Sequence, residues 1–151
     1  MVRTFVAIEL SKEIRDRLQE TQEEVRKCNA HLTFVRPDYI HVTLKFLGEV
    51  REEDLPRVIN ALKNVLFKPF TINATTVIVD NPRRPHTVWC KIEDSGESET
   101  LFRNIEDVLE PLGFTRETRK FTPHATVARV RRPDQSLFVS LESLKHKTYG
   151  N

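Results

Sequence analysis

Ile40-His41-Val42-Thr43-Leu44-Lys45-Phe46-Leu47-Gly48 is the run whose reading decides the fold. Branched and aromatic side chains fill it and a glycine closes it, the composition of a β-strand. In a strand, side chains two apart share a face. His41 and Thr43 therefore stand together, while Val42 and Leu44 pack behind them. Far along the chain Pro123-His124-Ala125-Thr126-Val127 repeats the arrangement, with His124 and Thr126 on one face. An imidazole beside a hydroxyl suits a phosphate. The hydroxyl donates to a non-bridging oxygen, and the ring exchanges a proton with a bridging oxygen or a water.

Outward from these two runs, residues 3–10 (RTFVAIEL) read as a buried first strand. Ser11 is an N-cap for a helix carrying Ile14, Leu18 and Val25 on one face. Leu32 to Val35 is a short strand cut by Pro37. Helices are predicted over Glu52 to Leu66, Ser98 to Leu112 and Ser136 to Leu144. Phe70 to Val79 and Thr87 to Ile92 form a hairpin around the basic loop Asn81-Pro82-Arg83-Arg84-Pro85. No Gly- or Ser-rich linker divides residues 1–151, so one domain is expected. Each half runs helix, basic turn, then a strand opening on His-x-Thr. The expected class is α+β: two similar lobes with antiparallel sheets facing a central cleft, helices outside, and one His-x-Thr strand per lobe.

Composition narrows the function classes. With 24 Lys and Arg against 22 Asp and Glu, the formal charge is only +2, too small to coat long duplex by charge alone. An anionic ligand must instead be met by locally placed basic groups. No apolar run reaches membrane-spanning length, and the first residues lack a secretory signal. Cys28 and Cys90 are expected as free thiols in the cytoplasm.

The bare tripeptide is weak, because His31, His41, His124 and His146 all begin a His-x-Thr, where chance gives roughly 0.5 matches. His146 has a charged middle residue and lies in a turn-like stretch near the C-terminus. His31-Leu32-Thr33-Phe34 is the serious decoy, set aside partly because Pro37 shortens its strand. Pattern alone also admits two ordinary strand histidines at unrelated positions. A metal site is the weaker competitor, since no Asp, Glu or Cys cluster accompanies the histidines. Lys45 shares strand parity with His41 and Thr43, which fits either a phosphate contact or a solvated rim lysine. Phe5 is either a core strand residue or a surface on which a base stacks. Trp89 is read as core.

These stretches resemble the two-histidine (2H) phosphoesterases, and within them the RNA 2′,3′-cyclic phosphodiesterases, also called 2′-5′ RNA ligases. The resemblance rests on Arg3-Thr4-Phe5-Val6-Ala7-Ile8, Val35-Arg36-Pro37, His41-Val42-Thr43-Leu44-Lys45-Phe46-Leu47-Gly48-Glu49-Val50, Asn81-Pro82-Arg83-Arg84-Pro85 with Val88-Trp89, and Phe121-Thr122-Pro123-His124-Ala125-Thr126-Val127-Ala128-Arg129. They occur in the family's order along nearly the whole chain. Family members usually continue into a last strand pair beyond this endpoint, so the resemblance implies a domain shortened at its C-terminus.

The resemblance implies hydrolysis of a 2′,3′-cyclic phosphate at an RNA end or on a nucleotide to a 2′-phosphomonoester, by a monomer needing no metal or cofactor and no membrane. Reverse 2′-5′ ligation is implied with it. By analogy His124 is the base and His41 the acid, with Thr43 and Thr126 on the non-bridging oxygens. Arg129 matches an arginine the family uses near the phosphate. Strict alternation from His124 points Arg129 away, so that role requires a bulge in the strand. An RNA-end binding module without turnover, or a 2H phosphodiesterase acting on another nucleotide, are the competing readings.

Overall fold

A computed structural model describes all residues, Met1–Asn151. Its elements are β1 (Val2–Glu9), α1 (Lys12–Val25), β2 (His31–Phe34), β3 (His41–Val50), α2 (Leu55–Lys63), β4 (Asn73–Val79), β5 (Thr87–Glu93), α3 (Glu97–Leu109), β6 (His124–Arg132) and α4 (Gln135–Ser143). The α+β class is as expected. The six strands form one antiparallel sheet in the order β1-β3-β6-β5-β4, with β2 also pairing β6. No helix is long and apolar enough to cross a membrane.

The chain divides into two compact units. The first comprises Met1–Ile8, Thr43–Thr71 and Asp94–Pro123. Its core is Leu44 of β3, Val58 of α2, and Leu101, Ile105 and Leu109 of α3. The α3 residues recur at helical spacing, which turns one face of the helix onto the strands. Helix α2 is shorter than the predicted span: Glu52–Asp54 form a 3-10 turn, and Pro56 follows at the first turn, where its missing N–H costs nothing.

The second unit comprises Glu9–Val42, Ile72–Glu93 and His124–Asn151. Ser11 caps α1 as predicted, its side chain accepting from the Ile14 N–H at 3.2 Å. Ile14, Leu18 and Val25 are buried. They meet a layer in which Val42, Val77, Val88, Cys90, Ala125, Val127 and Ala128 are also buried. Near the C-terminus, the Ala74 N–H donates to the Gly150 carbonyl at 2.7 Å, and the Tyr149 N–H donates to the Ala74 carbonyl at 2.9 Å. Tyr149 is fully buried, with its hydroxyl 2.7 Å from that of Thr21.

β6 lies wholly in the second unit, and β3 begins there with His41 and Val42 before running on into the first.

Candidate functional site

Strand β3 pairs antiparallel with β6 through Val42 opposite Ala125. Both are fully buried, so their side chains share the inward face. The residues on either side of them point the other way. Counting outward from Val42–Ala125 puts His41 opposite Thr126 and makes His41 and His124 diagonal neighbours. Such diagonals are about 7–8 Å apart. A tetrahedral phosphate fits between two rings at that spacing. Thr43 follows His41 on the same face of β3. His41, Thr43, His124 and Thr126 are all half-buried, between apolar residues that are buried.

Tyr39, in the 3-10 turn Pro37–Tyr39, sets the tautomer of His41. Its carbonyl lies 2.6 Å from His41 Nδ1. A carbonyl only accepts, so Nδ1 carries the proton and Nε2 is the atom that gains and loses one. Pro37, which shortens β2, thus also builds the turn that orients the next strand's histidine.

On the other edge of β6, β5 places Trp89 opposite Thr126 and Lys91 opposite His124. The indole packs edge-on against the His124 ring, centroids 4.1 Å apart at 64°. Trp89 is therefore not a core residue. Its Nε1–H is buried without a hydrogen-bond partner beside the imidazole. Neither Trp89 nor Lys91 was singled out as functional from sequence. The alternation of buried Val88, Cys90 and Ile92 with Thr87, Trp89 and Lys91 was the available signal, since it assigns the second set to the histidine face.

The bulge that Arg129 requires is present. Opposite β5 the register runs Lys91–His124, Cys90–Ala125 and Trp89–Thr126, then skips Val127 to resume at Val88–Ala128 and Thr87–Arg129. One extra residue reverses the alternation, so Val127 and Ala128 are both buried and Arg129 emerges on the side of His124 and Thr126. Gln22 of α1, only 2% exposed, secures the spot: its Nε2 donates to the Val127 carbonyl at 3.0 Å and to the Val35 carbonyl at 2.7 Å. β3 repeats the same sequence of buried and exposed positions over its first six residues. By that correspondence Lys45 matches Ala128 and Phe46 matches Arg129.

That phase slip corrects the reading of Lys45 as a ligand contact. Its side chain is 5% exposed and its Nζ donates to Glu106 Oε1 at 2.6 Å and to the Thr115 carbonyl at 2.9 Å. Glu106 Oε2 accepts from the Glu117 N–H at 3.1 Å. Simple parity kept Lys45 beside Thr43; the slip turns it inward, to a carboxylate from α3. Lys45 is structural.

Phe5 is exposed and stacks on Phe46, centroids 5.8 Å apart at 28°, with the Arg3 guanidinium 5.4 Å from the Phe46 ring. It belongs to an open aromatic platform on β1 and β3 rather than to a core. His31 begins β2 opposite Arg132, at the far end of β6 from His124, so the decoy motif does not join the site. No three His, Cys, Asp or Glu side chains gather into a metal-binding set.

A family model described as LigT-like phosphoesterase matches residues 8–89. The chain is 33% identical over 150 residues to the RNA 2′,3′-cyclic phosphodiesterase of Archaeoglobus fulgidus, covering 99% of this chain and 84% of that protein. It is 34% identical over 135 residues to the protein of the same name from Methanothermobacter thermautotrophicus, covering 87% of this chain and 73% of that one. A crystal structure of a Thermus thermophilus protein superposes with a TM-score of 0.77 at 27% identity, covering 88% of this chain and 76% of that chain.

Proposed function

The chain belongs to the LigT-like phosphoesterase family, and on that footing we propose that it hydrolyses RNA or nucleotide 2′,3′-cyclic phosphates to 2′-phosphomonoesters. The observation that carries this reading is the diagonal pair of histidines on β3 and β6, each followed by a threonine on its own strand face.

One histidine, as base, takes a proton from water as the water oxygen bonds to phosphorus. The phosphorus–O3′ bond breaks, and the other histidine, as acid, protonates the departing O3′. We assign His124 the base role and His41 the acid role. His41 acts through Nε2, since Nδ1 is committed to Tyr39. Thr43, Thr126 and Arg129 hold the non-bridging oxygens and meet the developing charge. With the 5′-hydroxyl of a second strand in place of water, the same attack forms a 2′-5′ phosphodiester as the phosphorus–O3′ bond breaks, and the two histidines exchange roles when that linkage reverts to the cyclic phosphate. No step calls on a metal. We read the active species as a monomer, because both histidines come from one chain, and its compartment as the cytoplasm, which the two unpaired cysteines favour.

The test is incubation with a nucleoside 2′,3′-cyclic phosphate in excess EDTA, with products resolved by chromatography. The expected product is the 2′-phosphate alone, its rate reduced about 10²–10⁴-fold by either His41→Ala or His124→Ala. Turnover that survives both substitutions, or that EDTA abolishes, refutes the reading. A pure end-binder loses no turnover because it has none, and keeps its affinity in His41→Ala.

A further inference from the structure

We infer that the RNA strand leading to the cyclic phosphate runs over the C-terminal half of β6, held through its backbone by Arg131 and by the arginines of the β4–β5 loop. This rests on the cyclic-phosphodiesterase reading and adds where the strand behind the reacting end is held, and by which residues.

The bulge at Val127 carries the histidine face onward. Past it, Arg129 and then Arg131 continue the side on which His124 and Thr126 stand. From His124 to Arg131 that strip is about 20 Å long at strand spacing. Hydroxyls flank it, Thr33 of β2 opposite Arg129 on one edge and Thr87 of β5 opposite Arg129 on the other. Arg131 is already held there, its Nε donating to Thr33 Oγ1 at 3.0 Å, which leaves its other N–H groups for a ligand.

The β4–β5 loop lies against the same end, the Val130 N–H donating to the His86 carbonyl at 2.8 Å. It is a rigid loop. Asp80 Oδ1 accepts from the N–H groups of Asn81, His86 and Thr87, at 2.9, 2.9 and 3.2 Å. Arg83 and Arg84, in this loop, are both exposed.

Charge decides what this surface fits. Loop and strand end together carry five exposed arginines (Arg83, Arg84, Arg129, Arg131 and Arg132) against two carboxylates, Asp80 and Asp134, a balance of +3 where the whole chain carries +2. Both carboxylates are occupied, Asp80 in the loop and Asp134 in capping α4. Several arginines elsewhere pair with acids, as Arg17 does with Glu13, Arg103 with Glu99 and Arg116 with Asp107, while Arg3 and Arg36 lie over the Phe46 and Tyr39 rings. Arg83, Arg84, Arg129 and Arg131 take part in no ion pair, and Arg132 acts on Asp134 at longer range. Beyond Trp89, which packs on His124, the strip offers arginines and hydroxyls, which contact phosphates rather than bases, so the binding there is indifferent to sequence. At roughly 3.4 Å per stacked nucleotide the strip accommodates about six nucleotides, and fewer when the strand is extended.

The experiment compares a nucleoside 2′,3′-cyclic phosphate with oligoribonucleotides of two to ten residues ending in the same group, over a salt series. The wild type is set against Arg83→Gln/Arg84→Gln/Arg131→Gln. The expected result is a KM that falls with length to a plateau at about six nucleotides or fewer. The triple variant loses that gain while its mononucleotide kcat/KM stays unchanged. Fluorescence anisotropy with a labelled single-stranded RNA, which needs no turnover, should show the salt slope smaller by about 2, at ~0.7 per lost contact. A KM independent of length, or a length gain and salt slope unaltered in the variant, overturns the strip. Failure of the wild type on the mononucleotide overturns the cyclic-phosphodiesterase reading instead, and the anisotropy arm still decides the strip.

Discussion

Replacing Lys45 by Met separates a structural lysine from a ligand-binding one. Methionine has nearly the length of the lysine stem, so the change removes the ammonium and little volume. What remains is the Glu106 carboxylate, only 3% exposed, keeping one donor, the Glu117 N–H, and a Thr115 carbonyl that has lost its lysine partner. Removing one member of a buried ion pair costs about 3–5 kcal/mol, because the surviving charge stays out of water. In a chain of this size each kcal/mol moves the midpoint by about 2–4 °C, so Tm should fall by about 6–20 °C. Removing both charges, as Lys45→Met with Glu106→Leu, should restore most of the loss, since a buried pair replaced by apolar groups is often neutral. Thermal and urea unfolding followed by circular dichroism measure both, with cyclic-phosphate turnover assayed well below the transition. Turnover should be near normal in whatever fraction is folded. A Lys45→Met protein of unchanged stability with a raised KM would refute the reasoning and return Lys45 to the substrate.

Trp89→Leu removes the ring that packs on His124 and should lower kcat roughly ten- to a hundredfold while changing KM less, a split read from steady-state kinetics. Gln22→Leu strips the Val35 and Val127 carbonyls of a buried donor, at a cost of about 1–3 kcal/mol. Its effect on phosphate affinity should vanish when Arg129 is already Gln, which a double-mutant cycle tests. Stability should fall above about pH 9. Burial pushes the Cys90 thiol up to about 12 and raises the Tyr149 phenol, an effect the Thr21 hydroxyl only partly offsets. Both groups stay protonated in the fold while the unfolded chain releases their protons, so their contribution is complete below the unfolded pKa values and lost as pH rises. Urea titrations from pH 8 to 10.5 should record the decline. The same burial should leave Cys90 unreactive toward iodoacetamide in the folded protein, with the half-buried Cys28 the thiol that labels.

Much of this was legible in the residues. Periodicity located every helix, and the His-x-Thr pattern, read with its flanks, located both site strands. What escaped depended on events that local pattern does not carry. Arg129 requires a slip in β6, but the position of that slip, Val127-Ala128, is two apolar residues that suit either face, so nothing in them announces that both turn inward. Lys45 has its partner in Glu106, on a helix distant in sequence, and a charged side chain in a strand reads as exposed until that partner is known. The pairing of Val42 with Ala125, which makes His41 and His124 diagonal neighbours, is long-range, and no window around either residue contains it. Trp89 was misjudged for a different reason. Its neighbours Val88 and Cys90 already fill the inward positions, which leaves it to the histidine face.

The extra residue at Val127 also bears on how this strand tolerates change. Exchanging Val127 for isoleucine alters only volume, whereas deleting it restores strict alternation, and every side chain beyond it rotates to the opposite side. Arg129 and Arg131 would then point into the apolar layer, and Val130 would replace them at the surface. β6 should accordingly accept many point substitutions and almost no single-residue deletion. A library that varies chain length between Thr126 and Arg129 would be expected to return the parental spacing alone, whatever residues fill it.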